Sequence, residues 1–205
     1  MSGKNFFARL LTERAQVFEK VRNRERMDLL IRESLLTLLF YSAIYGTVMG
    51  LYAGGFVILM DLIKVPLLLF LTLGISAPPF YVFCILFGLR TDLRQVFSLL
   101  SASYAASATV LLFLTPVVLI YSVSGTSHEH MHYVHYVIYG IAGLSGLYYL
   151  AFGMRQVYGR SGMHWLLALI AGGLFTLLVG GNLVLLLKPY LIYQTYFFDS
   201  PGLRI

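Results

Sequence analysis

Leu35-Leu-Thr-Leu-Leu-Phe-Tyr-Ser-Ala-Ile-Tyr-Gly-Thr-Val-Met-Gly-Leu-Tyr-Ala53 carries no charged side chain. As a helix this run of 19 residues extends about 28 Å at about 1.5 Å per residue, close to the roughly 30 Å of a bilayer's hydrocarbon core. The sequence on either side explains how such a run would be placed. Eight of the chain's 15 basic residues precede it, all within the first 32 positions, and further apolar runs follow with short links between them. Over the 205 residues, 59% are hydrophobic and only 12% charged, against roughly 25% charged in an average soluble domain. The chain therefore reads as a single integral membrane bundle. Its net charge of +6 flanks apolar spans and lines no folded basic surface, so anionic lipid headgroups are the expected partners and nucleic acid is not.

Five spans are expected, at about 35–53, 65–87, 96–123, 133–154 and 165–187. The fold class is thus an all-α, five-helix transmembrane bundle over residues 34–188. Before it lies a basic amphipathic segment, 1–33, and after it an aromatic tail, 189–205. The first 33 residues lack the apolar core of a signal peptide, so the first span is expected to act as an uncleaved signal-anchor. If the N-terminus is cytoplasmic, residues 1–33 and the 88–95 and 155–163 links hold 12 of the 15 basic residues. Only Lys64, Lys188 and Arg204 then face outward. That asymmetry predicts a cytoplasmic N-terminus and an extracytoplasmic C-terminus.

Within the spans, small residues mark helix packing. Ser42, Gly46, Gly50 and Gly54 recur every four residues in the first span, as do Ala168, Gly172, Thr176 and Gly180 in the fifth, which places each set on one helix face. Small residues on nearly every face of the third span's first half predict a helix surrounded by others. In the second span Gly74, Pro78 and Pro79 predict a kink or unwound turn, because two prolines remove two amide donors. The single cysteine, Cys84, lies in an apolar run and reads as a buried inert thiol. Asn182 reads as a packing lock that bonds across helices.

Candidate chemistry is sparse. His128, His130 and His132 crowd the link before the fourth span and His135 stands at its start, and imidazole is a common metal ligand. The set reads first as a polar loop at the outer membrane edge and second as a metal site. Bis-histidine haem ligation is disfavoured, since His164 belongs to the opposite edge. Asp61 and Lys64, three residues apart, read as an ion pair snorkelling to the interface. A transport site at the broken helix Gly74–Pro79 is the main alternative use of the second span. No phosphate-binding glycine loop, nucleophile elbow, zinc-protease motif or carboxylate pair is present, so neither an enzyme nor a cofactor is expected.

The run from Lys64-Val-Pro-Leu-Leu-Leu-Phe70 through Ser76-Ala-Pro-Pro-Phe-Tyr81 to Leu86-Phe-Gly88, followed by Gln95-Val-Phe97, resembles bacterial relatives of the Yip-type five-span membrane proteins. The likeness covers roughly residues 35–155. The Asp-Leu-Tyr-Gly-Pro element of eukaryotic members that partner small GTPases is missing, so a trafficking role does not carry over. The resemblance implies a compact helical bundle that acts by binding lipid or other membrane proteins. The expected function is a non-enzymatic anchor, scaffold or assembly subunit of a larger membrane complex. Arg9, Arg14, Lys20, Arg22, Arg24 and Arg26 would form its docking surface for lipid or partner subunits. Alternatives are a small transporter or channel subunit using Gly74–Pro79, or a metal- or haem-binding redox subunit built on His128–His135.

Overall fold

The structure is a computed structural model, and it describes residues 18–19, 21–52, 54–124, 128–159 and 163–187. All regular structure among these residues is helical. Five helices, α1 (Met27–Leu51), α2 (Phe56–Leu86), α3 (Leu93–Val123), α4 (His128–Tyr158) and α5 (His164–Leu187), follow one another in the chain. Each is long and apolar enough to cross a membrane, which makes the protein integral and multi-pass. Arg9, Arg14, Lys20 and the 189–205 tail lie outside the described residues.

The helices overrun the expected spans at their N-terminal ends. At 31 residues, α2, α3 and α4 are each about 46 Å long, some 16 Å more than a hydrocarbon core requires. Hydropathy finds only the part of a helix that sits in hydrocarbon; the remainder is amphipathic or charged and reads as a link. Met27 starts α1 inside the segment expected to stand apart from the bundle, with Asp28 in its first turn, where a carboxylate suits the helix dipole. Residues 56–64, ahead of the expected second span, are already part of α2. Asp92 caps α3 by accepting a hydrogen bond from the Gln95 amide at 3.0 Å.

The prolines do not break α2. The helix continues through Pro66, Pro78 and Pro79, so of the kink or unwound turn expected at Gly74–Pro79 the unwound turn does not form. Two missing donors are a local loss, and Ser76, Ala77 and Phe80 around them are all buried and hold the backbone in place. Gly54 is a second correction. It lies beyond the end of α1 at φ +72°, with nothing near it, and turns the chain toward α2 together with Gly55 at φ +56°.

α1 packs against both α2 and α3, and α3 also meets α2 and α4. As expected from its small residues, α3 is the most enclosed helix, with Ser98, Ala102, Ala105 and Ala108 fully buried. α5 packs along α2, whereas α4 and α5 touch only sparsely despite being consecutive. The ridge on α5 faces α2: Ala168 is buried, a side chain at Gly172 would collide with the Phe80 ring, and Gly180 faces Thr72. Cys84 is a free, buried thiol. Asn182 is exposed and donates to the Leu178 carbonyl of its own helix at 2.8 Å, so it locks no neighbouring helix.

Candidate functional site

Three places in the bundle bring chemistry-bearing or ligand-sized features together: its two ends and its interior. At the basic end, the N-terminal segment is clamped onto the helices. Phe18 and Val21 are fully buried, while Glu19 and Arg22 on the same turn are exposed. The Phe18 ring lies 5.0 Å from that of Tyr149 and 5.9 Å from that of Phe152, and it fills the space left by Gly153. These side chains enter the protein core and not the bilayer surface expected for an amphipathic segment lying on lipid. The reason is local: Gly153 leaves a ring-sized recess that lipid headgroups cannot fill.

Hydrogen bonds tie the same end together. Tyr158 Oη donates to Thr91 Oγ1 at 2.7 Å, Thr91 Oγ1 donates to Gln95 Oε1 at 3.1 Å, and Gln95 Nε2 donates to the Val21 carbonyl at 3.1 Å. This relay joins α4, the α2–α3 link, α3 and the N-terminal segment. Arg24 stands 3.7 Å from Asp92, and Arg94 pairs with Asp28 of α1. Both ion pairs are solvent-exposed, so water and salt screen them and they contribute little to stability. Of the expected docking residues, Arg24 is therefore engaged within the protein, and Arg22 and Arg26 project outward.

At the opposite end, the histidine run belongs to α4 and not to a loop. His130 is exposed, His132 half-buried and His135 only 2% exposed. Among the described residues, no three His, Cys, Asp or Glu side chains stand together as metal ligands would. His135 instead has a structural partner. Its Nδ1 lies 3.0 Å from Tyr45 Oη of α1, and with the phenol donating, the neutral imidazole carries its proton on Nε2. Tyr45 also packs edge-on against Tyr139, at 5.7 Å between ring centres. This contact bridges α1 and α4, whose backbones otherwise scarcely approach. Tyr45→Phe is expected to leave a buried acceptor unpaired and to cost about 1–3 kcal/mol. Thermal melting of the purified protein in mild detergent should show that loss, and the double variant Tyr45→Phe with His135→Leu should recover part of it.

Asp61 and Lys64 lie near this end too. Both are 3% exposed, held in α2 beneath α1, and they interact with each other. The expected snorkelling pair is thus corrected to a buried one. Gly46 and Gly50 cause this, because they let the α1 backbone approach the turns of α2 that carry the pair.

The interior feature is a cavity of about 490 Å³ between α2, α3, α4 and α5, lined by Leu68, Tyr104, Gly143, Leu147, Gly173 and Leu177 among others. It sits in the gap that the sparse α4–α5 contact leaves. Two hydroxyls on its walls bond within their own helices, Thr72 donating to the Leu68 carbonyl at 2.7 Å and Ser103 to the Leu99 carbonyl at 2.8 Å, whereas Thr176 Oγ1 is buried without a hydrogen bond. Tyr104 Oη is buried facing Ser76 Oγ, without reaching full hydrogen-bond geometry. The space it encloses is hydrocarbon-lined. Sequence reasoning missed it, although Gly140, Gly143 and Gly146 recur every three residues in α4 and were its available signal.

No protein-family model, curated protein or solved structure matches this chain.

Proposed function

We propose that the protein is a non-enzymatic anchor or scaffold of a bacterial inner-membrane complex, with its N-terminus cytoplasmic and its C-terminus outside. The basic N-terminal segment would be its docking surface for an acidic partner subunit. A bundle that works by binding agrees with the Yip-type resemblance.

One observation carries this reading: the clamp at the basic end. A tail whose basic residues served only to orient the chain in the membrane would need no fixed geometry. Here Phe18 and Val21 are spent on the bundle core, and the Gln95–Val21 hydrogen bond holds the backbone, so Arg22 and Arg26 are presented outward from a rigid base. Fixing a charged surface before encounter lowers the ordering cost of binding. A polar-solute transporter finds less support, because α2 is continuous through Pro78 and Pro79 and the interior cavity is apolar.

Charge reversal at the two exposed arginines, Arg22→Glu with Arg26→Glu, is the direct test. Opposing like charges across an interface costs several kcal/mol, so a co-purifying partner should fall by about tenfold or more. The abundance and elution of the variant should stay those of the parent, since neither side chain packs in the core. A partner retained in full after reversal, or none in either form, would overturn the docking role.

A further inference from the structure

We infer that the cavity between α4 and α5 is a binding site for one hydrocarbon chain of a membrane lipid. Three observations lead there: where the cavity opens, what lines it and how large it is.

The mouth faces the bilayer. Gly140, Gly143, Leu144, Leu177 and Gly181 line the cavity and are also exposed at the protein surface, so the space is entered sideways between α4 and α5. These positions fall near the middle of their helices, at hydrocarbon depth. A space of this kind in a bilayer is reached by lipid chains before any aqueous solute.

The walls match that occupant. Leucines and glycines dominate, and the hydroxyls of Thr72 and Ser103 are committed to carbonyls of their own helices. Tyr104 Oη and Thr176 Oγ1 are the exceptions, buried without a hydrogen bond, so an apolar chain meets matching walls over most of the space and a polar ligand would find few partners. Open glycines give the chain its room. A Cβ at Gly140, Gly143 or Gly181 would meet no atom within 4 Å.

Size separates a chain from a helix. An α-helix with its side chains is about 10–12 Å across, so 490 Å³ would admit only about 4–6 Å of it, roughly one turn. A second copy or a partner's transmembrane helix cannot seat there without prising α4 from α5. A methylene takes roughly the space of one water, about 30 Å³, so 490 Å³ holds on the order of sixteen such groups. That is the scale of a single acyl chain.

Filling the site tests it. Gly143→Leu with Gly181→Leu places side chains in open space, and Gly140→Leu does so independently. Ile141→Leu, a lipid-facing change on the same helix, is the control. Each full-length protein is extracted in mild detergent, washed to remove loosely held lipid and weighed by native mass spectrometry. The parent and the Ile141→Leu variant should retain about one lipid per chain, identified by fragmentation, and both filled forms should retain about tenfold less. A parent that carries no lipid, filled forms that carry as much as the parent, or an added mass equal to a protein subunit would overturn the inference.

Discussion

Gly46→Leu is expected to dismantle the α1–α2 pair, whereas Gly140→Leu, the same exchange in α4, leaves the bundle folded. At position 46 a Cβ would run into the carbonyl of Asp61 and come within 3.2 Å of Val65 Cβ. At Gly50, one turn on, it would stand 2.6 Å from Ile58 Cα. The obstacles are backbone atoms, which cannot rotate away as a side chain can. Nor can the helices slide apart freely, since the turn at Gly54 and Gly55 ties their ends together. Overpacking a core ordinarily costs about 1–3 kcal/mol, and a branched side chain forced against two helix backbones belongs at or beyond the top of that range. At Gly140 no atom lies within 4 Å of the added Cβ, and leaving glycine gains up to about 1 kcal/mol of helix propensity. Fluorescence-detected size exclusion after a heating series separates the two: Gly46→Leu should lose its folded peak at temperatures where Gly140→Leu and the parent keep theirs. Equal profiles would mean that α1 and α2 do not approach as closely as Gly46 and Gly50 allow.

That contact also shows how far the sequence could be read. Spacing-four repeats put Ser42, Gly46 and Gly50 on one face of α1, and Ala168, Gly172 and Gly180 on one face of α5, and both faces pack. Periodicity gives a residue's direction around a helix but not the helix's end, so Gly54 was assigned to the same ridge when it belongs to a turn. Prolines misled for a related reason. Pro78 and Pro79 lower the intrinsic stability of one turn, and neighbours such as Phe80, supplied by packing against α5, decide whether the turn survives.

The candidate sites were harder to read because they depend on which helices meet. His135 looked like part of a loop cluster, and only the approach of α1 gives it Tyr45 as a partner. Phe18 is buried only because Gly153, far along the chain, provides its recess. The cavity is an absence of contact between α4 and α5, and no local pattern encodes an absence. Its one trace is the pair Gly140 and Gly143 in α4, which no neighbour fills, whereas Gly146 in the same run is closed by Ser107 of α3.

Breaking the Asp61–Lys64 pair from one side should be the most damaging polar substitution in the bundle. The pair begins about 8 Å into α2, near the edge of the hydrocarbon if the span is centred. Depth alone would let both side chains reach water, and an exposed pair of that sort is worth about 0–1 kcal/mol. Burial changes the outcome: with each residue only 3% exposed, α1 seals the pair from solvent. Removing one member then leaves the other desolvated with less opposing charge beside it, a loss of up to about 3–5 kcal/mol. Asp61→Asn and Lys64→Met should both fall in that range, while the two combined, which leave no charge, should lie within about 1 kcal/mol of the parent. Stability measured by thermal or detergent denaturation closes the double-mutant cycle, and the coupling should far exceed the few tenths of a kcal/mol typical of independent sites. Near-additive effects below about 1 kcal/mol would instead return the pair to the interface as a solvated one. The close approach at Gly46 is what separates these outcomes. Widening it with a larger residue should admit water to Asp61, so in a Gly46→Ala background the cost of removing either charge should shrink.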